Sequence, residues 1–230
     1  MVSISKNKVA IFDIDGTIFR SSLLIQLNFA LVEYGIFPPL AKAEIEKCRL
    51  NWIDRKDTYQ KYIDKVVEVF NRRIRGCHKE DVEKVGKLVV EEQKNRVYTY
   101  TRELIKNLRG KYFLLAISGS PEEVVKEFNH YWKFDGCIAY QYETDSEGFY
   151  TGKKLTNTFL GKKELLCEFI KKHKLSLSGS IGVGDTESDV GFLETVSQPI
   201  CFNPNHGLYH IAREKKWKIV IERKDVIYNL

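Results

Sequence analysis

The sequence predicts an α/β protein with a Rossmann-like, three-layer core, a mainly parallel sheet and an inserted α-helical cap. Apolar runs of strand length recur along the chain, and amphipathic helical patterns separate most of them. This alternation is typical of right-handed crossovers in a parallel sheet covered on both faces. Residues 22–95 carry helical patterns but no run typical of a strand. Because a connection after a strand normally takes only a few residues, this stretch predicts a separate helical unit.

Six apolar segments are predicted to form the sheet. The first, at residues 9–15, is apolar up to its acidic end, as expected for a strand buried in a parallel sheet. The other five lie at residues 112–118, 137–143, 180–185, 199–203 and 218–222. Residues 140–152 alternate around a Ser-Glu-Gly turn and predict a hairpin appended to this sheet.

The helical patterns define the predicted domains. Residues 1–21 and 96–230 are expected to form a discontinuous core, and residues 22–95 the cap. The core helices are predicted at residues 97–108, 121–131, 162–173, 187–195 and 207–215. The cap helices are predicted at residues 23–34, 40–51, 54–70 and 79–93. Within the cap, the aromatic residues Trp52, Tyr59 and Tyr62 are expected to form apolar core rather than a stacking surface.

Composition and charge exclude several classes of protein. With 43% hydrophobic and 30% charged residues, the chain of 230 residues is not disordered, collagen-like or of low complexity. The formal net charge of +6 is spread along the chain, so no nucleic-acid partner is expected. Five cysteines without a CxxC motif, together with no signal peptide and no spanning segment, favour a cytoplasmic protein without a membrane partner. The sequence leaves the oligomeric state open.

Two carboxylates close the first predicted strand. Asp13 and Asp15 are two residues apart, so on a strand both side chains point to the same face. At the carboxyl end of a central strand they occupy the edge where open α/β sheets bind ligands. Two adjacent carboxylates repel each other unless a cation compensates, and an oxygen-only pair suits Mg²⁺. The alternative is a strand end followed by an Asp-Gly turn at Gly16.

A second acidic pair follows the fourth predicted strand. Asp185 ends that strand, and Asp189 lies four residues further on, in or near the first turn of the next helix. The alternative is an N-cap with first-turn acids favoured by the helix dipole. Because both acidic strand ends would meet at one edge of the sheet, together they favour a metal site.

Two further segments carry groups suited to binding an anion. Ser118 ends the second predicted strand, and Ser120 is predicted to cap the following helix with Glu123 as its capping-box partner. A helix N-terminus there would offer free amides to an anion. Lys162 opens the next helix, where a lysine opposes the helix dipole unless an anion lies nearby. Lys163 is expected to be solvated.

Taken in order, the motifs DIDGT (residues 13–17) and GDTESD (residues 184–189), with Ser118 and Lys162 between them, resemble the four motifs of the haloacid dehalogenase (HAD) superfamily. The helical insertion after the first motif and the G-K-x-x-L-L setting of the lysine are most similar to the phosphoserine-phosphatase-like branch, subfamily IB. The resemblance covers nearly the whole chain.

The resemblance implies a Mg²⁺-dependent phosphatase that acts on a small phosphomonoester. Asp13 would form an aspartyl-phosphate, and Asp15 would act as general acid and base. Asp13, the Asp15 main-chain carbonyl and Asp185 would hold Mg²⁺, with Asp189 acting indirectly on the metal site. The phosphoryl oxygens would be bound by Ser118, the Gly119 amide and Lys162.

The sequence departs from the family at the substrate site. Phosphoserine phosphatases carry a glutamate nine residues after the nucleophile, whereas Ser22 occupies that position here, so the resemblance does not extend to phosphoserine as a substrate. Arg20 and the cap arginines have no assigned role (Arg49, Arg55, Arg72 and Arg73). Two alternatives stay open, a phosphotransferase or mutase on the same fold and a non-catalytic protein that binds a phosphorylated or nucleic-acid partner.

Overall fold

The computed structural model describes residues 7–155 and 161–230. The strands are β1 (Lys8–Asp13), β2 (Phe113–Pro121), β3 (Gly136–Tyr140), β4 (Tyr142–Thr144), β5 (Tyr150–Lys154), β6 (Ser176–Gly184), β7 (Gln198–Phe202), β8 (Lys218–Arg223) and β9 (Val226–Asn229). The helices are α1 (Leu23–Glu33), α2 (Pro39–Ile53), α3 (Tyr59–Arg73), α4 (Lys79–Gln93), α5 (Thr99–Leu108), α6 (Glu122–Trp132), α7 (Lys162–His173), α8 (Val190–Leu193) and α9 (His206–Glu214).

Seven of the described strands form one sheet in the order β3-β2-β1-β6-β7-β8-β9. All neighbours in it pair in parallel except β8 and β9, which pair antiparallel at the edge. β1 is the third of these seven strands, between β2 and β6, and the strand order reverses beside it. This is the point at which open α/β sheets bind their ligands. The predicted α/β fold class is confirmed.

Side chains of β1 alternate between the two faces of the sheet, because successive residues of a strand point to opposite sides. Ala10 and Phe12 belong to a buried cluster that includes apolar residues of α5 and α6. Val9 and Ile11 belong to a second cluster with residues of α7, α8 and α9. Both faces of β1 are therefore covered by helices, which gives the three predicted layers.

Helices α1 to α4 account for the stretch without predicted strands. Their buried residues join the cluster on the α5 and α6 face of the sheet, including Leu27 of α1, Val66 of α3 and Val89 of α4. The N-terminus of α1 is capped by Ser22, whose hydroxyl accepts from the Ile25 amide at 3.5 Å. The helical unit is thus continuous in packing with one face of the core.

The hairpin predicted at residues 140–152 forms, but it is not appended to the main sheet. Its strands β4 and β5 make a separate two-stranded sheet. Tyr150 exchanges backbone hydrogen bonds with the turn after α3, donating to Cys77 at 2.9 Å and accepting from Gly76 at 2.8 Å. The prediction was wrong because alternation identifies a hairpin but not the backbone against which it packs.

Two other predicted elements differ in detail. The strand predicted at residues 137–143 is divided into β3 and β4, and the helix predicted at residues 187–195 is a 3₁₀ turn, Glu187–Asp189, followed by the short α8. Strand β9 was not predicted, because its run of three apolar residues is shorter than a typical strand. No helix in the described part of the chain is both long and apolar enough to cross a bilayer.

Candidate active site

The carboxyl ends of β1, β2 and β6 lie side by side at one edge of the main sheet. β1 pairs in parallel with β2, with Asp13 opposite Ile117, and with β6 on its other side. Ser118 and Gly119 follow Ile117 within β2, and Asp185 follows the last residue of β6. The parallel register therefore brings residues from distant parts of the chain to the edge predicted to bind a ligand.

Three aspartates converge at this edge. Asp13, Asp185 and Asp189 are buried, and each offers a carboxylate oxygen within 4.8 Å of the others. Lys162, the first residue of α7, lies between two of them. Its Nζ donates to Oδ1 of Asp13 and to Oδ1 of Asp189, both at 2.6 Å. The cluster thus holds three carboxyl groups and one ammonium group.

The pKa values of the clustered groups are shifted by burial and by the excess of carboxyl groups over ammonium groups. Burial raises the pKa of the Asp13 carboxyl well above its usual range, and Lys162 only partly opposes this shift. The pKa of Asp185 is raised by burial and then by the nearby Asp13 and Asp189. Burial would lower the pKa of Lys162, but Asp13 and Asp189 outweigh it and raise that pKa. The lysine therefore stays charged, and the carboxylates still lack compensating positive charge.

Asp189 uses both of its carboxylate oxygens within the protein. Oδ1 accepts from Lys162, while Oδ2 accepts from the backbone amides of Asp185 at 2.9 Å and Thr186 at 3.0 Å. The side chains of Thr186 and Asp189 form a reciprocal capping box at the 3₁₀ turn. Asp189 therefore orients the loop that carries Asp185 and fixes the lysine.

The oxygen atoms that remain fit a hard divalent cation. Oδ2 of Asp13 is buried and has no hydrogen-bond partner among the described residues. Oδ1 of Asp185 accepts a hydrogen bond from Thr17 Oγ1 at a long distance of 3.5 Å. Oδ2 of Asp185 approaches Gly16 so closely that a Cβ added to this glycine would lie 2.0 Å from it. A buried carboxylate oxygen without a donor is costly, and an oxygen-only donor set of this kind suits Mg²⁺.

The carboxylate of Asp15 lies outside the group formed by the other three aspartates. β1 ends at Asp13, so the strand alternation used for the prediction does not reach Asp15. One Asp15 oxygen accepts from the Leu23 amide at 2.5 Å, and the other accepts from Ser118 Oγ at 2.5 Å and Ser120 Oγ at 3.0 Å. The carboxylate of Asp15 thus joins the end of β2 to the first residue of α1.

Ser120 does not cap a helix, contrary to prediction. β2 continues through Pro121, which stands at the N-cap of α6 without a side-chain hydrogen bond. The hydroxyl of Ser120 instead donates to the carboxylate of Asp15, and Glu123 accepts from the Tyr150 hydroxyl at 2.6 Å. A capping pattern was misread because the same residue types can hydrogen-bond across the fold rather than along the chain.

A cavity of about 960 Å³ opens beside Asp185, between the sheet edge and the helical unit. Core residues and residues of the α1–α3 region line it together, among them Gly16, Asp185, Arg20, Trp52, Tyr59 and Tyr62. The three aromatic residues were expected in the interior of the cap. Tyr62 is buried as expected, but Trp52 and Tyr59 are only half-buried and also face the cavity.

Four of the five arginines in residues 22–95 divide into two pairs. Arg49 and Arg55 line the cavity. Arg72 and Arg73 instead form ion pairs with Glu44. Only the first pair is therefore placed to reach a molecule bound above the aspartates.

Solved structures share this fold along most of the chain. A protein of unknown function from Bordetella pertussis Tohama I superposes with a TM-score of 0.73 and 18% identity, over 95% of this chain and 99% of that one. A phosphoserine phosphatase determined as a phospho-aspartyl intermediate analogue gives a TM-score of 0.63 and 21% identity, over 96% of each chain. A phosphoserine phosphohydrolase-like protein from Francisella tularensis subsp. tularensis SCHU S4 gives 0.59 and 19%, over 94% and 95%. At this identity the matches establish the fold.

Sequence comparison adds a partial relative and a family. A histidinol-phosphatase from Neisseria meningitidis serogroup C (strain 8013) is 29% identical over 111 residues, which are 46% of this chain and 50% of that protein. The match thus spans about half the length of that relative. The model of the haloacid dehalogenase-like hydrolases matches residues 10–194, from β1 to the end of α8. The predicted family and the prediction of an enzyme are confirmed: this chain belongs to the haloacid dehalogenase-like hydrolases.

Proposed function

We propose that this hydrolase is a Mg²⁺-dependent phosphatase that cleaves a small phosphomonoester through an aspartyl-phosphate on Asp13. One observation carries the proposal: Asp13 is held by Lys162 through Oδ1 while its buried Oδ2 has no hydrogen-bond partner among the described residues. Lys162 fixes Oδ1 for attack on phosphorus and leaves Oδ2 free for a metal, so this carboxylate is positioned to act as a nucleophile.

The proposed reaction has two steps. An oxygen of Asp13 attacks phosphorus, the bond from phosphorus to the leaving oxygen breaks, and Asp15 gives that oxygen a proton. Water then attacks the phosphorus of the aspartyl-phosphate and loses a proton to Asp15, which releases phosphate and restores Asp13. Asp15 is supported in this role by its place at the junction of β2 and α1, beside Ser118.

Binding of the phosphoryl group is assigned to Ser118, the Gly119 amide and Lys162. The hydroxyl of Ser118 donates to Asp15 in the structure and can rotate towards a phosphoryl oxygen instead. Lys162 supplies a buried positive charge beside Asp13. Phosphoryl transfer is dominated by positioning and charge stabilisation, which these groups can provide.

The metal is assigned to Asp13, the main-chain carbonyl of Asp15 and Asp185, with Asp189 orienting the Asp185 loop and Lys162. A bound Mg²⁺ would supply the positive charge that allows a phosphate dianion to approach these carboxylates. The unpartnered oxygen of Asp13 and the weakly partnered carboxylate of Asp185 support this assignment.

We further propose that residues 1–21 and 96–230 act as the catalytic core and residues 22–95 as a cap that contacts the leaving group. The shared cavity supports this division, since residues of both units line it. The substrate is proposed to be a small phosphorylated molecule rather than a nucleic acid or a membrane lipid. The cytoplasmic location remains a prediction that rests on the dispersed free cysteines.

Hydrolysis of p-nitrophenyl phosphate, with Mg²⁺ or with excess chelator, tests the proposal. We expect activity only with Mg²⁺, a loss of at least about 10³-fold in Asp13→Asn, and one phosphoryl group on Asp13 in acid-quenched protein by mass spectrometry. Asp81→Asn, which changes an exposed carboxylate on α4, is the matched control. Equal turnover by the wild type and Asp13→Asn would overturn the proposal. Faster transfer to an added alcohol than to water would identify a phosphotransferase instead.

A further inference from the structure

The cap presents a continuous aromatic surface to the cavity. The Trp52 ring of α2 lies 5.0 Å from the Tyr59 ring and 5.8 Å from the Tyr62 ring of α3, between centroids. Trp52 and Tyr62 are nearly parallel, at 11°, and Tyr59 is tilted by 58° against Trp52. Since Tyr62 is buried and the other two are half-buried, Trp52 and Tyr59 form the accessible part. These three residues are called the aromatic wall below.

The aromatic wall faces the proposed site of phosphoryl transfer. Trp52 and Tyr59 line the same cavity as Gly16 and Asp185. Burial raises the pKa of the Tyr59 phenol, and the charges of Asp185 and Asp15 raise it further, so its hydroxyl lies within their electrostatic reach. A molecule whose phosphate lies beside Asp185 can therefore extend its other end to this wall.

Tyr59 has unused hydrogen-bonding capacity. Tyr59 is half-buried, and the structure gives its hydroxyl no hydrogen-bond partner among residues 7–155 and 161–230. The hydroxyl is not one of the fully buried polar atoms without a partner, so water can reach it. A polar atom of a molecule bound in the cavity can replace this water as its hydrogen-bond partner.

The volume of the cavity and the charges that line it limit the class of molecule that can bind there. A cavity of about 960 Å³ is much larger than a phosphate group needs, and it lies in the range that holds drug-sized ligands. The two cap carboxylates that line it are already neutralised, Glu46 by Arg49 at 2.6 Å and Asp57 by Lys61 at 2.9 Å. Arg20 and Arg55 also line it and have no carboxylate partner in the described chain, against one unpaired carboxylate outside the aspartate cluster, Glu187, so the excess of positive charge disfavours a cationic leaving group.

The arrangement of the rings excludes an aromatic cage for a cation. A cage needs rings standing around an enclosed space, whereas all three centroid separations here, 5.0, 5.8 and 6.1 Å, are those of rings that contact one another. Trp52 and Tyr59, inclined at 58° to each other, instead offer separate ring faces, each of which can stack on one flat ring.

We propose, on the basis of the proposed phosphatase function, that the leaving group of the substrate carries a flat aromatic or heteroaromatic ring that stacks on Trp52 and contacts the inclined ring of Tyr59 at an angle. The wall thereby selects the alcohol that is released, while the aspartates and Lys162 carry out the transfer. Stacking of this kind is worth about 0.5–1.5 kcal/mol, which corresponds to roughly two- to tenfold in kcat/KM.

Two substrates of similar size, one with a flat aromatic ring and one with a puckered saturated ring, test the inference. Benzyl phosphate and cyclohexylmethyl phosphate carry the same phosphate and linker, and both release a primary alcohol. We expect the wild type to prefer benzyl phosphate by about two- to tenfold in kcat/KM, mainly through KM. Equal values for the two esters, or a preference for phosphocholine over both, would overturn the inference and leave the phosphatase proposal intact.

Substitutions of Trp52 test whether the preference for benzyl phosphate depends on the aromatic wall. Trp52→Leu should remove most of it, whereas Trp52→Phe, which keeps a ring, should retain it. Methyl phosphate, which does not reach the wall, reports whether Trp52→Leu still folds around an intact phosphoryl site. A preference that persists in a folded Trp52→Leu would contradict the assignment.

A binding measurement separates the inference from the proposed function. Benzylphosphonate and cyclohexylmethylphosphonate cannot be hydrolysed, so calorimetry of their binding in Mg²⁺ buffer does not require turnover. Tighter binding of benzylphosphonate to the wild type but not to Trp52→Leu would support the wall even in a protein without phosphatase activity. Equal affinities in an active enzyme would reject the wall alone.

Discussion

The ammonium nitrogen of Lys162 lies 2.6 Å from Oδ1 of Asp13, although 149 residues separate them in the chain. Lys162 begins α7, where a positive charge opposes the helix dipole. The arrangement is stable because Asp13 and Asp189 compensate this charge within a buried site. The lysine thus sets the charge of the cluster as well as the position of Asp13.

Replacing Lys162 by methionine should therefore destabilise the metal-free protein. Without the ammonium group, three buried carboxyl groups face each other, and we expect a loss of about 3 kcal/mol or more in the free energy of unfolding at neutral pH. The loss should shrink in acid, because protonated carboxyl groups no longer repel. Urea denaturation with chelator, at neutral and acidic pH, measures both effects.

Lys163→Met is the matched control for this change. Lys163 is the next residue of α7 but is exposed, and surface charges contribute little to stability. A free energy of unfolding that is equal in the two variants would show that the buried contacts of Lys162 do not stabilise the fold.

Gly16→Ala should disrupt the metal site specifically. Gly16 has a φ of +84°, and an added Cβ would lie 2.0 Å from Oδ2 of Asp185. Gly35 has a similar φ of +74° with nothing within 4 Å of its Cβ position. Both alanine variants carry the backbone cost of about 1–2 kcal/mol, but only Gly16→Ala must displace Asp185.

The two glycine variants are compared by Mg²⁺ titration. We expect Gly35→Ala to bind Mg²⁺ as the wild type does, in spite of a lower Tm. Gly16→Ala should bind at least about tenfold more weakly, which is a cost of about 1.4 kcal/mol. Similar weakening in both variants would mean that backbone strain, rather than the clash with Asp185, controls the site.

Sequence patterns predicted the fold and the cluster because both depend on local signals. The acidic ends of β1 and β6 are visible as apolar runs that end in aspartate, and parallel pairing alone brings Asp13 and Asp185 together. The start of α7 at Lys162 was predicted from the helical pattern. The haloacid dehalogenase-like relationship followed from the order of these same motifs.

Contacts between side chains that are distant in the chain could not be predicted from these sequence patterns. Ser120 has the local surroundings of an N-cap, yet its hydroxyl donates to Asp15. The exposure of Trp52 and Tyr59 to the cavity depends on how α2 and α3 pack above the sheet edge, which periodicity does not specify. An apolar aromatic cluster predicts burial but not which face borders the site.

Asp185→Asn and Asp189→Asn should change the stability of the metal-free protein in opposite directions. The raised pKa of Asp185, caused by burial and by the neighbouring carboxylates, means that its charged form is destabilised, so Asp185→Asn should raise the Tm. Asp189 holds Lys162 and two backbone amides, so its replacement should lower the Tm.

The stability that Mg²⁺ adds should also differ between the wild type and Asp185→Asn. A ligand that binds only the folded state stabilises by about 2.7 kcal/mol at a concentration of 100 Kd. The wild type should gain this stability with Mg²⁺, and Asp185→Asn should lose the gain. Differential scanning fluorimetry with and without Mg²⁺ measures it, and an equal Mg²⁺ shift in Asp185→Asn would exclude this residue as a ligand.

Glu123 should make the stability of the fold fall as pH rises. Burial raises the pKa of its carboxyl above 4.5, although the hydrogen bond from Tyr150 opposes the shift. Between 4.5 and the raised value the folded state binds more protons than the unfolded state, so the free energy of unfolding decreases with rising pH. Glu122 and Lys79 also act on this carboxyl, in opposite directions. Glu123→Gln should remove the contribution and flatten the dependence.

Tyr150→Phe tests the hydrogen bond between Tyr150 and Glu123 by removing its donor. The hydroxyl of Tyr150 donates to Oε1 of Glu123 at 2.6 Å and fastens the β4–β5 hairpin to α6. Its removal leaves a buried acceptor without this donor, at a cost of about 1–3 kcal/mol. The cost should be larger at pH 8 than at pH 4, because a charged carboxylate depends more on the donor than a neutral carboxyl group does.

Urea denaturation of the wild type, both single variants and the double variant between pH 4 and pH 8 gives the coupling energy between Tyr150 and Glu123. A coupling energy that does not change with pH would show that Glu123 keeps one protonation state throughout.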